Sequence, residues 1–201
     1  MKKLVKTITA YTFDELDEFA QEEAKNNVAL KVREPMFFSE DLIESLKEDF
    51  GLYHLKTFYS LSYCQGDGLC LHGKITFEEL FDNKKFKKIA FKSIHHKQIR
   101  SIYNELQGID FLHTGRYYYA NSVNIESIEY YPKDKQIAII EKVIENVRSW
   151  YFSFCKEWEQ RGYEYFYEIF DDDMKLICSE YDFLFTESGE LIDKDEYSIA
   201  V

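Results

Sequence analysis

One segment constrains the fold of this chain more than any other: residues 58–73, where two alternating runs flank Gly66-Asp67-Gly68. Glycine-rich turns between alternating runs are typical of a β-hairpin. The large side chains of both runs fall at odd positions, and directly opposed residues of paired strands share a face. Only a loop with an odd number of residues brings the large side chains together. We therefore predict the three-residue loop 66–68, with Gly68 in the left-handed conformation of a β-bulge.

This register assigns each hairpin residue to a face. One face would carry the large residues Tyr59, Leu61, Tyr63, Leu69 and Leu71. The other would carry the small and polar residues Ser60, Ser62, Cys64, Cys70 and His72, with Gln65 and Asp67 at the tip. This polar face is the first candidate site for a ligand or a partner's backbone. The alternative is a solvated sheet face, which antiparallel sheets commonly have.

The composition indicates a compact folded chain. Hydrophobic residues make up 45% and aromatic residues 17% of 201 residues, which argues against disorder. Two Pro and eight Gly leave little room for a linker. We therefore expect residues 1–201 to form a single compact domain.

Helical periodicity and capping signals place the other elements. Capping boxes at Thr12-Phe13-Asp14-Glu15 and Thr76-Phe77-Glu78-Glu79 predict two helix starts. The longest periodic stretch, residues 135–161, predicts a helix closed by Gly162. Further predicted elements are a strand over residues 3–9, helices over residues 39–50, 95–106 and 163–178, strands within residues 111–131, and a short hairpin around residues 188–189. Hairpins between helices predict an α+β fold, with helices packed on an antiparallel sheet.

The charge balance limits the classes of partner. Lys and Arg number 25 against 37 Asp and Glu, which gives a net charge of −12. This sign disfavours nonspecific binding to a nucleic-acid backbone. The negative net charge either serves solubility alone or favours binding to a partner that presents a basic groove. Acidic runs such as residues 171–173 predict a solvated face, with a strip that imitates DNA phosphates as the alternative.

The sequence shows neither a targeting signal nor a cysteine motif. The N-terminal residues lack the apolar core of a signal peptide, and no window approaches the ~18 apolar residues of a transmembrane helix. We therefore expect a cytoplasmic protein without a membrane partner. The cysteines at 64, 70, 155 and 178 show neither a CxxC pair nor zinc spacing, which predicts free thiols and no metal. A Cys64–Cys70 disulfide is the alternative in an oxidising compartment. No cofactor is expected.

A second candidate site surrounds the second predicted turn. It contains His113, Arg116, Tyr117 and Tyr118. An arginine beside aromatic rings binds phosphate or a nucleobase. The alternative is an exposed turn whose tyrosine rings pack on the sheet. The sequence contains no catalytic signature, so we assign no catalytic residue.

Four pairs of motifs together resemble a family of small accessory proteins of bacteriophages and prophages. They are Phe13-Asp14-Glu15-Leu16 with Ala20 and Ala24, Ser60-Leu61-Ser62-Tyr63 with Gln65-Gly66-Asp67-Gly68, His113-Thr114-Gly115-Arg116-Tyr117-Tyr118 with Asn121-Ser122-Val123, and Tyr181-Asp182-Phe183 with Glu187-Ser188-Gly189-Glu190-Leu191. They keep the same order across most of the chain. The resemblance implies a phage setting and no catalytic residues. In the relatives a His often follows the Gly-Arg-Tyr stretch, where this chain has Tyr118 and Tyr119.

Three functions stay open at this point. The leading expectation is a phage or prophage accessory protein that acts by binding, as an anti-CRISPR-like inhibitor of a bacterial defence system or of another host enzyme. The second is a small-molecule binder, such as a nucleotide sponge, that uses the tyrosines and Arg116. The third is a metal-dependent hydrolase or nuclease built on His72, His113 and nearby carboxylates.

Overall fold

The computed structural model describes residues 7–33 and 35–193. Over these residues, two antiparallel strand pairs are preceded, separated and followed by groups of helices, and the predicted α+β class is confirmed. The helices are α1 (Glu18–Val32), α2 (Pro35–Phe50), α3 (Phe77–Asp82), α4 (Lys84–Ala90), α5 (His96–Ile102), α6 (Asp134–Tyr167) and α7 (Asp171–Tyr181). The strands are β1 (Leu55–Ser60), β2 (Gly68–Thr76), β3 (Leu106–His113) and β4 (Val123–Glu129). None of the described helices has both the length and the apolar character needed to cross a bilayer.

The strands form one antiparallel sheet in the order β1-β2-β3-β4. β1 pairs with β2 along its whole length, whereas the β2–β3 ladder covers only Gly73 to Thr76 of β2. β3 and β4 pair along nearly their whole lengths. Because consecutive strands are neighbours, the connections at residues 61–67 and 114–122 lie at the same end of the sheet. The sheet topology therefore brings together two segments that are far apart in sequence.

The predicted hairpin is present, but its loop is longer than predicted. The strands pair odd residues with odd residues, as the parity argument requires. β1 ends at Ser60 opposite Gly68, so residues 61–67 form the loop in place of residues 66–68. Gly68 lies in the strand, and it is Gly66 that has a positive φ, of 112°. Leu69 and Leu71 are fully buried, in agreement with their assignment to the apolar face.

The chain divides into two compact units, residues 35–162 and residues 1–34 with 163–201. In the first unit, the buried face of the sheet packs on α6, with the Phe111 and Tyr151 rings 5.4 Å apart. The predicted apolar stripe of α6 is buried at Ile140, Val143, Ile144, Val147, Trp150, Tyr151, Phe154 and Trp158. Whether residues 1–201 form the single domain expected from the composition is not decided by this division, and that expectation stays a prediction.

The second unit has a small core of its own. Phe185 forms isolated antiparallel bridges with Tyr11 and Leu191, so the predicted hairpin around residues 188–189 is present as bridges beside a turn. The buried residues are Phe13, Leu16, Ala20, Ala24, Val28, Ala29, Ile169, Met174 and Phe185.

The two predicted capping boxes form, with different results. The Thr76 backbone N–H donates to Glu79 Oε2 at 2.7 Å and starts α3 as predicted. The box at Thr12 caps only a 3₁₀ turn. Helix α1 begins later in the chain, with Asp17 as its N-cap residue. The strand predicted over residues 3–9 lies mostly outside the described residues, and residues 7–9 are not in a strand. A capping box therefore marks a helical turn without fixing the length of the helix.

The end predicted for α6 at Gly162 is wrong. A Cβ at Gly162 would lie 2.2 Å from Leu61 Cδ1 and 2.9 Å from Phe38 Cζ. The glycine therefore allows close side-chain packing inside the helix, which continues to Tyr167. The separate helix predicted over residues 163–178 is also wrong, because residues 163–167 belong to α6, residues 168–170 are not helical and residues 171–178 belong to α7.

Candidate binding site at one end of the sheet

Two loops pack on each other at one end of the sheet. Loop A is residues 61–67 and loop B is residues 114–122; together they form the loop tip. A Cβ at Gly66 would lie 2.6 Å from Tyr117 Cδ1, and one at Gly68 would lie 2.8 Å from the carbonyl oxygen of Tyr118. Because only glycine leaves this space, the contact between the loops depends on both glycines. The fold thus joins the two candidate sites that the sequence predicts separately.

One carboxylate organises loop A. Asp67 accepts hydrogen bonds from the backbone N–H groups of Ser62 (2.6 Å) and Cys64 (2.9 Å). It also accepts from the Ser60 hydroxyl (2.9 Å) and the Cys64 thiol (3.2 Å). Burial alone would raise the pKa of Asp67, but these hydrogen bonds outweigh it and lower the pKa to about 2. Four predicted site residues therefore maintain the structure of the loop itself.

The two cysteines predicted for the polar face are poor nucleophiles. The hydrogen bond to Asp67 raises the pKa of the Cys64 thiol, and burial raises the pKa of Cys70 to about 11. The two cysteines do not share a strand face as predicted, because Cys70 lies opposite Phe58 in the ladder and Cys64 is exposed in loop A. Cys70 is fully buried, so its side chain is not part of the exposed surface of the hairpin, and its contact with a ligand or partner stays a prediction.

Four half-buried rings meet at the base of the loop tip, and we call them the ring cluster. The Phe58 centroid lies 6.3 Å from His72, 6.5 Å from His113 and 5.6 Å from Tyr118. The His113 and Tyr118 centroids are 5.8 Å apart. The His113 and Tyr118 rings lie within 23° and 17° of parallel to Phe58. The cluster therefore combines residues from β1, β2, β3 and loop B.

Hydrogen bonds fix the tautomers of both imidazoles in the ring cluster. The backbone N–H of His113 donates to His72 Nδ1 at 3.3 Å, so this nitrogen carries no proton. His113 Nε2 lies 2.9 Å from the carbonyl oxygen of Tyr117 and therefore carries the proton. The second nitrogen of each ring has no hydrogen-bond partner among the described residues: a donor on His72 and an acceptor on His113.

The outer surface of the loop tip presents tyrosines and one arginine. Tyr63, Tyr117 and Tyr119 are 69%, 42% and 39% exposed. Arg116 is also exposed, and its guanidinium lies 5.6 Å from the Tyr117 ring centroid. Gln65 is exposed in loop A. The prediction that Tyr63 lies on the same face of the hairpin as Leu69 and Leu71 is wrong, because Tyr63 lies in the lengthened loop.

Sequence reasoning missed two residues of this site. Phe58 lies at the centre of the ring cluster, and its even position gives it the same strand parity as Ser60 and His72. This shared parity could have identified Phe58 as a residue of the same strand face. The alternation within residues 111–131 predicts a strand at Tyr119, yet this residue lies in loop B, just before the 3₁₀ turn Ala120–Ser122. Nothing in the alternating pattern marked it as exposed.

The titratable groups here do not form a metal site. Among the described residues, no group of three or more His, Cys, Asp or Glu is placed to hold a metal ion. At the loop tip itself, the Asp67 oxygens and one nitrogen of each imidazole are already used in hydrogen bonds within the loops and strands.

No family model, no curated protein and no solved structure matches the chain.

Proposed function

We propose that this protein acts by binding another protein through the loop tip. As a phage or prophage accessory protein, it would inhibit a bacterial defence protein or another host enzyme in the host cytoplasm. One observation carries the proposal: two interlocked loops expose three tyrosines and an arginine, with the Arg116 guanidinium 5.6 Å from the Tyr117 ring centroid and the Tyr117 and Tyr119 centroids 5.8 Å apart. The resemblance to phage accessory proteins supplies the biological setting.

The residue types of this surface support protein binding. Tyrosine and arginine are enriched among the residues that carry most of the binding energy at protein interfaces. Tyrosine has a large contact area and few rotatable bonds, so ordering it at an interface loses little entropy. Tyr63 comes from loop A, whereas Arg116, Tyr117 and Tyr119 come from loop B. The surface therefore resembles an antibody paratope in its composition.

Loop B is held in one conformation, which also supports binding. The Ser122 hydroxyl lies within hydrogen-bond distance of the carbonyl oxygens of Tyr117 (3.0 Å) and Tyr119 (2.7 Å). The Thr114 backbone N–H donates to the carbonyl oxygen of Ser122 at 3.0 Å. A loop that is ordered before binding loses less conformational entropy when the partner arrives.

The titratable groups of the loop tip favour binding over catalysis. Asp67 accepts four hydrogen bonds from loop A and its edge. His72 and His113 each use one ring nitrogen to hold the backbone. A Cys64 thiol with a raised pKa stays protonated at neutral pH. A hydrolase built here would need these same groups for its chemistry.

Charge separates the protein partner from the nucleotide alternative. Arg116 is the only Lys or Arg in residues 61–67 and 114–122, and Asp67 balances it. A nucleotide's phosphates would therefore meet a neutral surface. The net charge of −12 for the whole chain suits a partner with a basic face instead, because opposite charges accelerate association.

A charge reversal at the loop tip tests the proposal. The immobilised protein should capture its partner from host lysate at near-physiological salt, and the captured protein is then purified. Arg116→Glu should weaken binding of the purified partner by about tenfold or more, because it removes the arginine that packs beside Tyr117, whereas the added negative charge alone would favour a basic partner. The matched control is Arg100→Glu, an exposed position on α5 with the same change in charge.

Two results would contradict the proposal. One is a partner that binds the Arg116→Glu and Arg100→Glu variants equally well. The other is the failure of the wild-type chain to retain any protein specifically. Circular dichroism of both variants verifies that neither result comes from unfolding.

A further inference from the structure

A groove of about 1020 Å³ lies between α5 and the first turns of α6. Its lining is basic, although the chain as a whole is acidic. Asp134 is the one acidic residue in the lining, against four lysines: Lys97, Lys133, Lys135 and Lys142. Apolar side chains line it too, from Ile94, Ala138 and Ile139. The groove thus combines positive charge with apolar surface.

Three of the four lysines have no ion pair within the part of the chain that the structure describes. Lys142 contacts Glu145 Oε2 at 2.5 Å, whereas Lys97, Lys133 and Lys135 are exposed, with Asp134 as the one acidic residue beside them in the lining. Like charges around one concave surface repel each other, and a bound anion removes that repulsion. The groove therefore favours an anionic ligand.

The two walls of the groove are connected by hydrogen bonds. Gln136 Nε2 at the start of α6 donates to the carbonyl oxygen of Ser101 in α5 at 2.5 Å. Asn146 Nδ2 donates to the carbonyl oxygens of Ala90 and Lys92, at 3.0 Å each. These bonds connect α6 to the segment before α5 and to α5 itself. The groove is therefore preformed, as small-molecule sites usually are.

The residues of α6 in the groove share one face of the helix. Ala138 and Ile139 lie three and four residues after Lys135, and Lys142 lies three and four residues after Ile139 and Ala138, so the four residues form a continuous stripe. Lysine lies at each end of this stripe and apolar residues lie between. An occupant that matches it carries negative charge beside an apolar group.

We propose that this groove binds a nucleoside polyphosphate. Its phosphates lie against Lys97, Lys133 and Lys135, and its base lies against Ile94, Ala138 and Ile139. Lysine is a point-charge ligand for phosphate, and the groove volume is in the range of small-molecule sites. This proposal concerns residues separate from the loop tip, so it goes beyond the proposed protein-binding function and stands or falls independently of it.

Calorimetric titration with ATP, inorganic tripolyphosphate and adenosine tests the proposal. ATP should bind saturably, tripolyphosphate about tenfold or more weakly, and adenosine without measurable affinity, because both phosphates and base contribute. Lys97→Gln combined with Lys135→Gln should weaken ATP binding at least about tenfold. Ala138→Asp should have a similar effect, because it places a carboxylate in the middle of the stripe.

The matched control is Lys88→Gln combined with Lys156→Gln, two exposed lysines outside the groove. This control removes the same charge and should keep ATP affinity within about twofold of wild type. The proposal is overturned if ATP shows no saturable binding at millimolar concentration, or if the control weakens binding as much as the groove variant. It is also overturned if tripolyphosphate binds as tightly as ATP, or if an acidic peptide titrated in the same way binds more tightly than ATP.

Discussion

The imidazole of His72 accepts a hydrogen bond from the backbone N–H of His113, with Nδ1 and N 3.3 Å apart. The β2–β3 ladder ends at Gly73 opposite Phe111. This side-chain bond therefore continues the connection between the two strands beyond the ladder, toward the loop tip. It couples the strand that follows loop A to the strand that precedes loop B.

Removal of this acceptor should destabilise the larger unit. We expect His72→Ala to lower the free energy of unfolding by about 1 kcal/mol, because a part-buried N–H loses its hydrogen bond. Urea denaturation measures the change. His96→Ala, at an exposed histidine, is the control and should have no effect. Equal stability of the two variants would show that the His72–His113 bond does not contribute.

Asp67 should stabilise loop A in a pH-dependent manner. Asp67→Ala removes the acceptor of four hydrogen bonds and should lower the free energy of unfolding by about 2 kcal/mol at pH 7. The pKa of Asp67 is about 2 in the folded chain, below the unfolded value of about 3.9. A group with a lowered folded pKa stabilises the fold above its unfolded pKa and loses this contribution as the pH falls.

The stability difference between the wild type and Asp67→Ala should therefore shrink as the pH falls from about 4 to about 2. Urea denaturation at a series of pH values measures this difference. A difference that stays constant over that range would mean that the carboxylate does not act through its ionised form.

Gly66 should be intolerant of a side chain for two separable reasons. Its φ is 112°, and a Cβ would lie 2.6 Å from Tyr117 Cδ1. We expect Gly66→Ala to destabilise the chain by about 2 kcal/mol or more. In a Tyr117→Ala background the contact is gone and only the backbone strain persists, so the effect should be smaller. A double-mutant cycle by thermal denaturation measures this coupling, and strictly additive effects would refute the contact.

Glu159 on α6 should destabilise the fold at neutral pH. Burial, and then the nearby charge of Asp67, raise the pKa of Glu159 above its ordinary value. An acid with a raised folded pKa disfavours the folded state when ionised, and this penalty disappears as the pH falls through that pKa. Glu159→Gln should therefore raise Tm at pH 7 by about 1–2 °C.

The gain from Glu159→Gln should disappear at acidic pH, where the wild-type carboxyl is protonated. Glu141→Gln, at an exposed position on the same helix, is the control and should leave Tm unchanged at both pH values. A lower Tm for Glu159→Gln at pH 7 would mean that the carboxylate has a stabilising partner.

Strand parity and capping predicted much of this fold. The odd loop length between β1 and β2 follows from the positions of the large residues, and Thr76 with Glu79 correctly marks the start of α3. The length of loop A could not be predicted, because it depends on the hydrogen bonds that the Asp67 carboxylate accepts from Ser60, Ser62 and Cys64. The end of α6 was missed for a similar reason, since Gly162 is required by contacts with Leu61 and Phe38.

The candidate site was predicted in parts that the sequence could not connect. His72 and His113 were both selected as residues of interest, but their proximity depends on β2 and β3 being neighbours in the sheet. Phe58 could have been selected from its parity with His72. The exposed positions of Tyr63 and Tyr119 depend on loop lengths that alternation alone does not determine.

Hydrogen exchange with the purified partner present and absent tests the central claim most directly. If the loop tip is the binding surface, amides of residues 61–67 and 114–122 should gain protection on binding. Amides on the lysine-lined groove should exchange at unchanged rates. Protection confined to other segments, with loops A and B unchanged, would contradict the account.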